Sequence, residues 1–461
     1  MTESINITEV KRVYLIGIGG IGMSALARYF HGRGAEVSGY DRRPSPLTRQ
    51  LVAEGIGVHY GEGHAPRQPD LVIYTPAIPA DQPELVYFRE QGIPLRKRSE
   101  VLGLITRHMY GITVAGTHGK TTVSTLIAHI LRDSGYGCTA FLGGISVNYQ
   151  TNFWPAKAPA AVIEADEYDR SFLRLHPRLA VLTAMDPDHL DIYGTAEAME
   201  EAYLQYTHLL SPGDALVHKY GLPRTSEMGG LKISYSLENH AADSRAEAIR
   251  PRQGGYCFRI VGPDWTLDNA ELSIGGLHNV ENTVAAATVA KHLGIEDGHI
   301  LRAIRSFRGI KRRFEYIINT GTQVFIDDYA HHPEELRALL SSARSLFPAM
   351  PCTVLFQPHL YSRTRDLADG FADALDLADQ VILLPIYPAR ETPLPGVDSR
   401  MIIDKMKNPA VELLDKAQAM AWLAQHRPAF LITAGAGDID EMVPRIRTLL
   451  LSNPSHPHEK P

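Results

Sequence analysis

The sequence predicts an α/β protein of three domains built on parallel sheets, and three observations carry that expectation. Short apolar strands alternate with helix-forming stretches, and this pattern restarts twice along the chain. At Val13 to Ser24 and again at Val114 to Leu131 a strand runs into a glycine turn that opens a helix. The length of 461 residues exceeds the size at which one hydrophobic core keeps growing. The expected divisions are 1–107, 108–308 and 309–461.

In the first domain Arg12 to Ile16, Glu36 to Tyr40 and Leu71 to Tyr74 read as strands. Gly17, Gly19 and Gly22 match G-x-G-x-x-G directly after the first of them, and Asp41 closes the second, about 20 residues on. The reading is a Rossmann-like domain that places a diphosphate at a helix N-terminus and a ribose or base near Asp41. By itself the motif also suits a nicotinamide-dependent oxidoreductase, or glycines that serve only close strand and helix packing.

The second domain restarts with the strand Tyr110 to Ala115 and the run Val-Ala-Gly-Thr-His-Gly-Lys-Thr-Thr from Val114 to Thr122. This is a P-loop mononucleotide-binding pattern. Backbone N–H groups of Gly116, Thr117, His118 and Gly119 and the helix start behind them face an anion, Lys120 reaches the outer phosphates, and Thr121 and Thr122 supply hydroxyls, that of Thr121 for Mg²⁺. The spacing departs from G-x-x-x-x-G-K-[ST], since Gly116 and Gly119 are closer together. ATP or GTP is the expected ligand, and a nucleotide switch or scaffold without turnover is the competing class. Ala160 to Glu164 and Leu179 to Ala184 continue the buried strands. Glu164, Asp166, Glu167 and Asp169 crowd the end of one, and Asp186, Asp188, His189 and Asp191 the end of the other. Like charges so close call for a shared cation, which points to Mg²⁺, although Asp188 and Asp191 taken singly suit helix caps. The glycine-bearing stretch around Gly229 and Gly254 reads as antiparallel or irregular.

The third domain follows a basic hinge, Gly309 to Phe314, and is again Rossmann-like: Gln323 to Asp327, Cys352 to Gln357, Gln380 to Pro385 and Ala429 to Thr433 are strands. Asp327, Asp328, Tyr329, His331 and His332 end the first of them, and Gln357 to Arg365 follow the second. Arginines in that position suit carboxylate or phosphate binding. The tail from Ser452 to Pro461 has a disordered composition.

A formal net charge of −6 argues against nucleic acid and anionic membrane surfaces as partners. Cys138, Cys257 and Cys352 match no metal or disulfide spacing, and no apolar run approaches the ~18 residues of a membrane span. The expected location is the cytoplasm.

The segments Gly19-Gly20-Ile21-Gly22-Met23-Ser24, Gly116 to Thr122, Glu164-Ala165-Asp166-Glu167, Asp188-His189-Leu190-Asp191, His278 to Asn282, Arg312-Arg313-Phe314, Asp327 to Pro333 and Gln357-Pro358-His359 together resemble the Mur ligase family. The resemblance runs in order through all three domains. It implies an ATP-dependent ligase of peptidoglycan precursor synthesis, with a first domain for a UDP sugar, a central one for ATP, and a last one that closes over both and takes the amino acid. It implies UDP-N-acetylmuramate and L-alanine as substrates, with a tripeptide as the alternative acceptor, and a monomer or weak homodimer. Gly19, Gly20, Gly22, Met23, Ser24, Asp41 and Thr75 then meet the sugar nucleotide. Lys120 and Thr121 hold phosphates and Mg²⁺, Glu164 and His189 ligate the metal, Asn279 and Asn282 meet adenine, and Arg313 with Asp327 or Asp328 lies along the nucleotide. His331 and Arg363 face the amino acid, His331 being the candidate base because a metal-bound His189 cannot take a proton. Leu360 stands where arginine is usual in that family.

Overall fold

The computed structural model describes residues 6–61, 68–187, 190–252, 254–389 and 391–452. Two compact units emerge: Met1–Glu247 with Arg259–Ala270 and His278–Phe307, and Ala248–Phe258 with Glu271–Leu277 and Arg308–Pro461. All of 1–107 and most of 108–308 lie in the first unit, while 248–258 and 271–277 belong to the second. One reason is visible at Arg28. This buried guanidinium on the helix Ile21–Gly32 is held by Glu54 at 2.7 Å and donates to Asn152 at 2.6 Å, across 124 residues of chain.

Among the described residues the first unit holds a smaller sheet and most of a larger one. The smaller runs β3 (Gly57–His59), β2 (Glu36–Tyr40), β1 (Arg12–Ile16), β4 (Leu71–Tyr74), β5 (Leu95–Lys97), all parallel. Its order reverses between β1 and β4, and at such a reversal the loops after the two strands diverge and leave a crevice at their carboxyl ends. The larger sheet is built from β6 (Tyr110–Ala115), β7 (Thr139–Ser146), β8 (Thr151–Trp154), β9 (Ala160–Glu164), β10 (Pro177–Leu182), β11 (Ala215–Lys219), β12 (Leu231–Ser236), β13 (Ser244–Arg252), β14 (Gly255–Val261) and β15 (Thr266–Leu272). Its order is β15-β14-β13-β12-β11-β10-β6-β9-β7-β8. From β13 to β7 neighbouring strands run parallel, and β8 closes the edge antiparallel. Around Gly229 the antiparallel or irregular reading is corrected, since β11, β12 and β13 pair parallel there. The central strands are mostly apolar and mostly buried, as suits a parallel sheet covered on both faces.

In the second unit β16 (Glu315–Asn319), β17 (Val324–Asp328), β18 (Cys352–Phe356), β19 (Gln380–Leu383), β20 (Val411–Leu413) and β21 (Phe430–Ala434) form one sheet, ordered β16-β17-β21-β18-β19-β20. Only β16 runs antiparallel to its neighbour. The carboxyl ends of β17, β21 and β18 lie side by side, which gathers Asp328, Gly435 and Gln357. Among the described residues no helix is long and apolar enough to cross a membrane.

Candidate active site

The phosphate turn joins β6 to the helix Lys120–Asp133, between the ends of β9 and β10. Gly116 and Gly119 have φ of +125° and +81°, where side chains are strained, and there is no room for one. A Cβ on Gly116 would lie 2.3 Å from Thr183 Oγ1, and one on Gly119 would lie 2.7 Å from Asn282 Oδ1. Thr183 buttresses the turn, its hydroxyl donating to Ala115 O and His118 O, while Asp186 N donates to Thr117 Oγ1 at 3.1 Å. No side chain caps the following helix, so its first-turn N–H groups remain for an anion.

Lys120 folds back over the turn. Its Nζ donates to Gly116 O and to Glu167 Oε1, each at 2.7 Å. Glu167 is 2 % exposed on its side chain, and burial pushes its carboxyl above the ordinary range while Lys120 opposes that. Asn282 donates to Asn279 at 3.2 Å, both on the helix Leu277–His292, and Asn282 reaches Gly119. The structure thus brings Lys120, Thr121, Asn279 and Asn282 to one turn.

A cavity of 310 Å³ opens beside β9. Gly20, Gly22, Met23 and Thr75 line it from the first sheet, and Glu164 and Asp166 from the second. This is the crevice that the strand reversal predicts, extended by the acidic end of β9. Arg98, which sequence reasoning passed over, also lines it and pairs with Asp166 at 2.9 Å. Gly143 N donates to Glu164 at 3.1 Å, and a Cβ on Gly143 would fall 2.3 Å from that carboxylate. The signal for Gly143 was in the sequence: a glycine inside an apolar strand marks a close approach.

The first glycine turn differs from expectation. The N–H groups of Gly17 and Ile18 donate to Tyr40 O, Gly19 N donates to Asp41 Oδ2 at 2.7 Å, and Gly20 N donates to Gly17 O. Gly19 and Asp41 therefore bind each other, and the open part of this device is the first helical turn, Ile21 to Met23, whose residues line the cavity. Ser24, expected to meet the sugar nucleotide, is engaged within the protein. It is fully buried, its hydroxyl donates to Ile21 O, and Asn152 donates to it at 3.2 Å.

In the second unit His331, His359 and Arg363 come together. The ring centroids of His331 and His359 are 6.0 Å apart, and Arg363 Nη1 lies 3.4 Å from His359 Nδ1. His331 Nδ1 donates to Tyr329 O at 3.0 Å, which leaves Nε2 as an acceptor, and burial lowers its pKa. Leu360 has φ of +71° at the start of the helix Tyr361–Leu375. Asp328 accepts from Phe314 N and Ala330 N at 2.6 and 2.7 Å, and burial pushes it up to about 6. Asp327, pushed up to about 7 by burial, takes the Thr433 hydroxyl at 2.6 Å and faces Arg312 at 3.5 Å. Both acids serve the hinge and strand ends, a use their residue types did not reveal. Arg313 is exposed. Asp188 and His189 lie outside the described residues, as do the side chain of Asp191 and the tail from 453.

The residues fit a nucleoside triphosphate, because two glycines leave a cradle that a Cβ would fill beside a lysine and open helix N–H groups. Of the described residues expected to hold Mg²⁺, the Thr121 hydroxyl and the Glu164 carboxylate are of the right chemistry, both hard oxygen ligands.

Three family models match the chain in series: the Mur ligase family catalytic domain over 12–110, the Mur ligase middle domain over 114–290, and the Mur ligase glutamate ligase domain over 312–437. A protein of Phocaeicola vulgatus named UDP-N-acetylmuramate–L-alanine ligase is 47% identical over 457 residues, covering 97% of this chain and 99% of its own. One of Porphyromonas gingivalis with the same name is 47% identical over 453 residues, covering 96% and 99%. The crystal structure of a UDP-N-acetylmuramate-alanine ligase from Thermotoga maritima superimposes with a TM-score of 0.79 at 28% identity, over 94% of this chain and 98% of that one. A murein peptide ligase from Psychrobacter arcticus shares the fold with a TM-score of 0.66 at 22% identity, over 95% and 98%. With glycine cradle, acidic cavity and all three domain matches in place along its length, this chain belongs to the Mur ligase family.

Proposed function

We propose that this chain joins L-alanine to the lactyl carboxylate of UDP-N-acetylmuramate, cleaving ATP to ADP and phosphate, in the cytoplasmic synthesis of peptidoglycan precursors. One observation carries the reading: the 310 Å³ cavity places the Gly20 to Met23 helix start and Thr75 opposite Glu164 and Asp166, on the same sheet edge as the phosphate turn. A sugar nucleotide held there presents its acid toward the nucleotide.

The lactyl carboxylate, ionised at neutral pH, attacks the γ-phosphorus and ADP leaves, giving an acyl phosphate. The amine of L-alanine then attacks the acyl carbon, phosphate departs and an amide remains. No enzyme nucleophile is needed. Lys120 and the first-turn N–H groups neutralise phosphate charge, and Thr121, Glu164 and His189 are the proposed holders of Mg²⁺, whose chemistry when bound is charge neutralisation across the phosphates. Alignment of the reactants supplies up to about 7 to 11 kcal/mol. Asn279 and Asn282 are proposed for the adenine side, with Arg313 and Asp328 along the nucleotide. Arg363 takes the amino-acid carboxylate, and Nε2 of His331, unprotonated by its hydrogen bond to Tyr329 O, accepts the amine proton.

The test is phosphate release with Mg-ATP, UDP-N-acetylmuramate and one acceptor at a time. Release should depend on the sugar nucleotide and rise most with L-alanine. Equal rates with and without L-alanine would refute the acceptor, and a preference for the tripeptide would favour the alternative ligase.

A further inference from the structure

Glu167 is built into the phosphate turn at some cost. Its Oε1 receives Lys120 at 2.7 Å, and its Oε2 is buried with no partner among the described residues. The loop that delivers it contains two successive residues with left-handed backbone, Asp169 at φ 54° and Arg170 at φ 53°. Such conformations persist where surroundings over-determine them. Here the bracing is explicit. Arg98 holds Asp166 and Lys97 holds Asp169, each at 2.9 Å, the Tyr193 hydroxyl donates to Glu167 O at 2.6 Å, and the Arg170 guanidinium lies 5.3 Å over the Tyr193 ring. A strained, fourfold-braced loop that ends in a half-satisfied buried acid is a poor way to gain stability, because apolar packing serves as well. Its output is the position of one ammonium group.

Lys120 has three N–H donors, and its acceptors are Gly116 O and Glu167, each at 2.7 Å, and Thr117 O at 3.4 Å. Arriving phosphate oxygens must displace one of these acceptors, the long contact to Thr117 O or the carboxylate. Resting on the reading of Lys120 as the phosphate ligand, we propose that Glu167 is a latch: a positioning residue that holds Lys120 over the turn in the nucleotide-free enzyme and competes with the nucleotide phosphates for it. Glu167 thereby weakens nucleotide binding and keeps Lys120 aligned.

Calorimetric titration of the full-length protein with a nonhydrolysable ATP analogue and Mg²⁺ tests this. E167Q keeps shape and an acceptor but removes the charge, and its Kd should fall about tenfold. In turnover the KM for ATP should fall while kcat does not rise. E167D, which retains the charge, should stay near the wild-type Kd. A Kd for E167Q equal to or above that of the wild type overturns the latch, as does an E167D that binds as tightly as E167Q. Should E167Q fail to fold, Y193F loosens the same loop, and an unchanged Kd in that variant is equally fatal. Wild-type protein that binds no analogue would remove the phosphate-site reading and the latch with it. Binding by the wild type that E167Q does not improve removes the latch alone.

Discussion

The two glycine turns of the first unit share one local device, a parallel strand, a tight turn and an uncapped helix, yet they present opposite charges to a ligand. At the first, Asp41 returns from the end of β2 and accepts Gly19 N at 2.7 Å. At the second, Lys120 returns from the helix and lies over Gly116 O at the same distance. An acid on the turn repels a second anion at that point and favours a hydrogen-bonding, uncharged group, whereas a cation draws phosphate. The glycine spacing therefore selects the turn, and the side chain that folds back onto it selects the ligand.

Removing the cation should have the largest effect. Lys120→Ala is expected to lower turnover by about a thousandfold, as loss of a charge-stabilising donor does. It also strands Glu167, 2 % exposed, without its partner, at about 3 kcal/mol of stability. Steady-state phosphate release and chemical denaturation measure the two separately, and near-wild-type turnover would end the assignment. Gly119→Ala should act next. Its backbone sits at φ +81° and the new methyl meets Asn282 Oδ1 at 2.7 Å, so a loss of about 1 to 3 kcal/mol and a KM for ATP raised about tenfold are expected. An unchanged KM would show that the turn does not cradle the triphosphate.

Much of this contrast was legible in the residues. Strands β1, β2, β6 and β9 follow from runs that end in glycine or acid, β4 from the apolar run Leu71 to Tyr74, and the phosphate turn from Gly116 to Thr122. Short edge strands such as β3 and β5, three residues each, carry no period and were not legible. The acids were read as ligands alike, but only burial and partners sort them. Glu164 lines a cavity, Glu167 holds a lysine, and Asp328 ties Phe314 and Ala330. Arg98 and Asn152 escaped because their partners lie 68 and 128 residues away, and no local spacing encodes such pairs.

The first turn gives a smaller, selective prediction. Asp41→Ala frees Gly19 N and Arg42 N, which the carboxylate accepts at 2.7 and 2.8 Å. Losing two charge-assisted bonds costs the turn its shape rather than any phosphate contact. The KM for the sugar nucleotide should rise about tenfold, with the KM for ATP unchanged. A shift in both would mean that the two turns do not act separately.

The smallest effect distinguishes support from contact at the same turn. Ser24 follows Met23 in the helix start that lines the cavity, and the family resemblance makes it a contact for the sugar nucleotide. Its hydroxyl instead spends its proton on Ile21 O at 2.9 Å and accepts from Asn152 at 3.2 Å, with no exposed surface left. Ser24→Ala should therefore cost about 1 kcal/mol in stability, because Asn152 keeps its bond to Ile21 O and loses only one acceptor. The KM for the sugar nucleotide should stay within about twofold, since a tenfold change needs about 1.4 kcal/mol of lost contact. Denaturant unfolding reads the first and initial rates the second. A variant of native stability with a tenfold higher KM would put Ser24 back among the ligand contacts, and the acid on Gly19 would no longer define what that turn can bind.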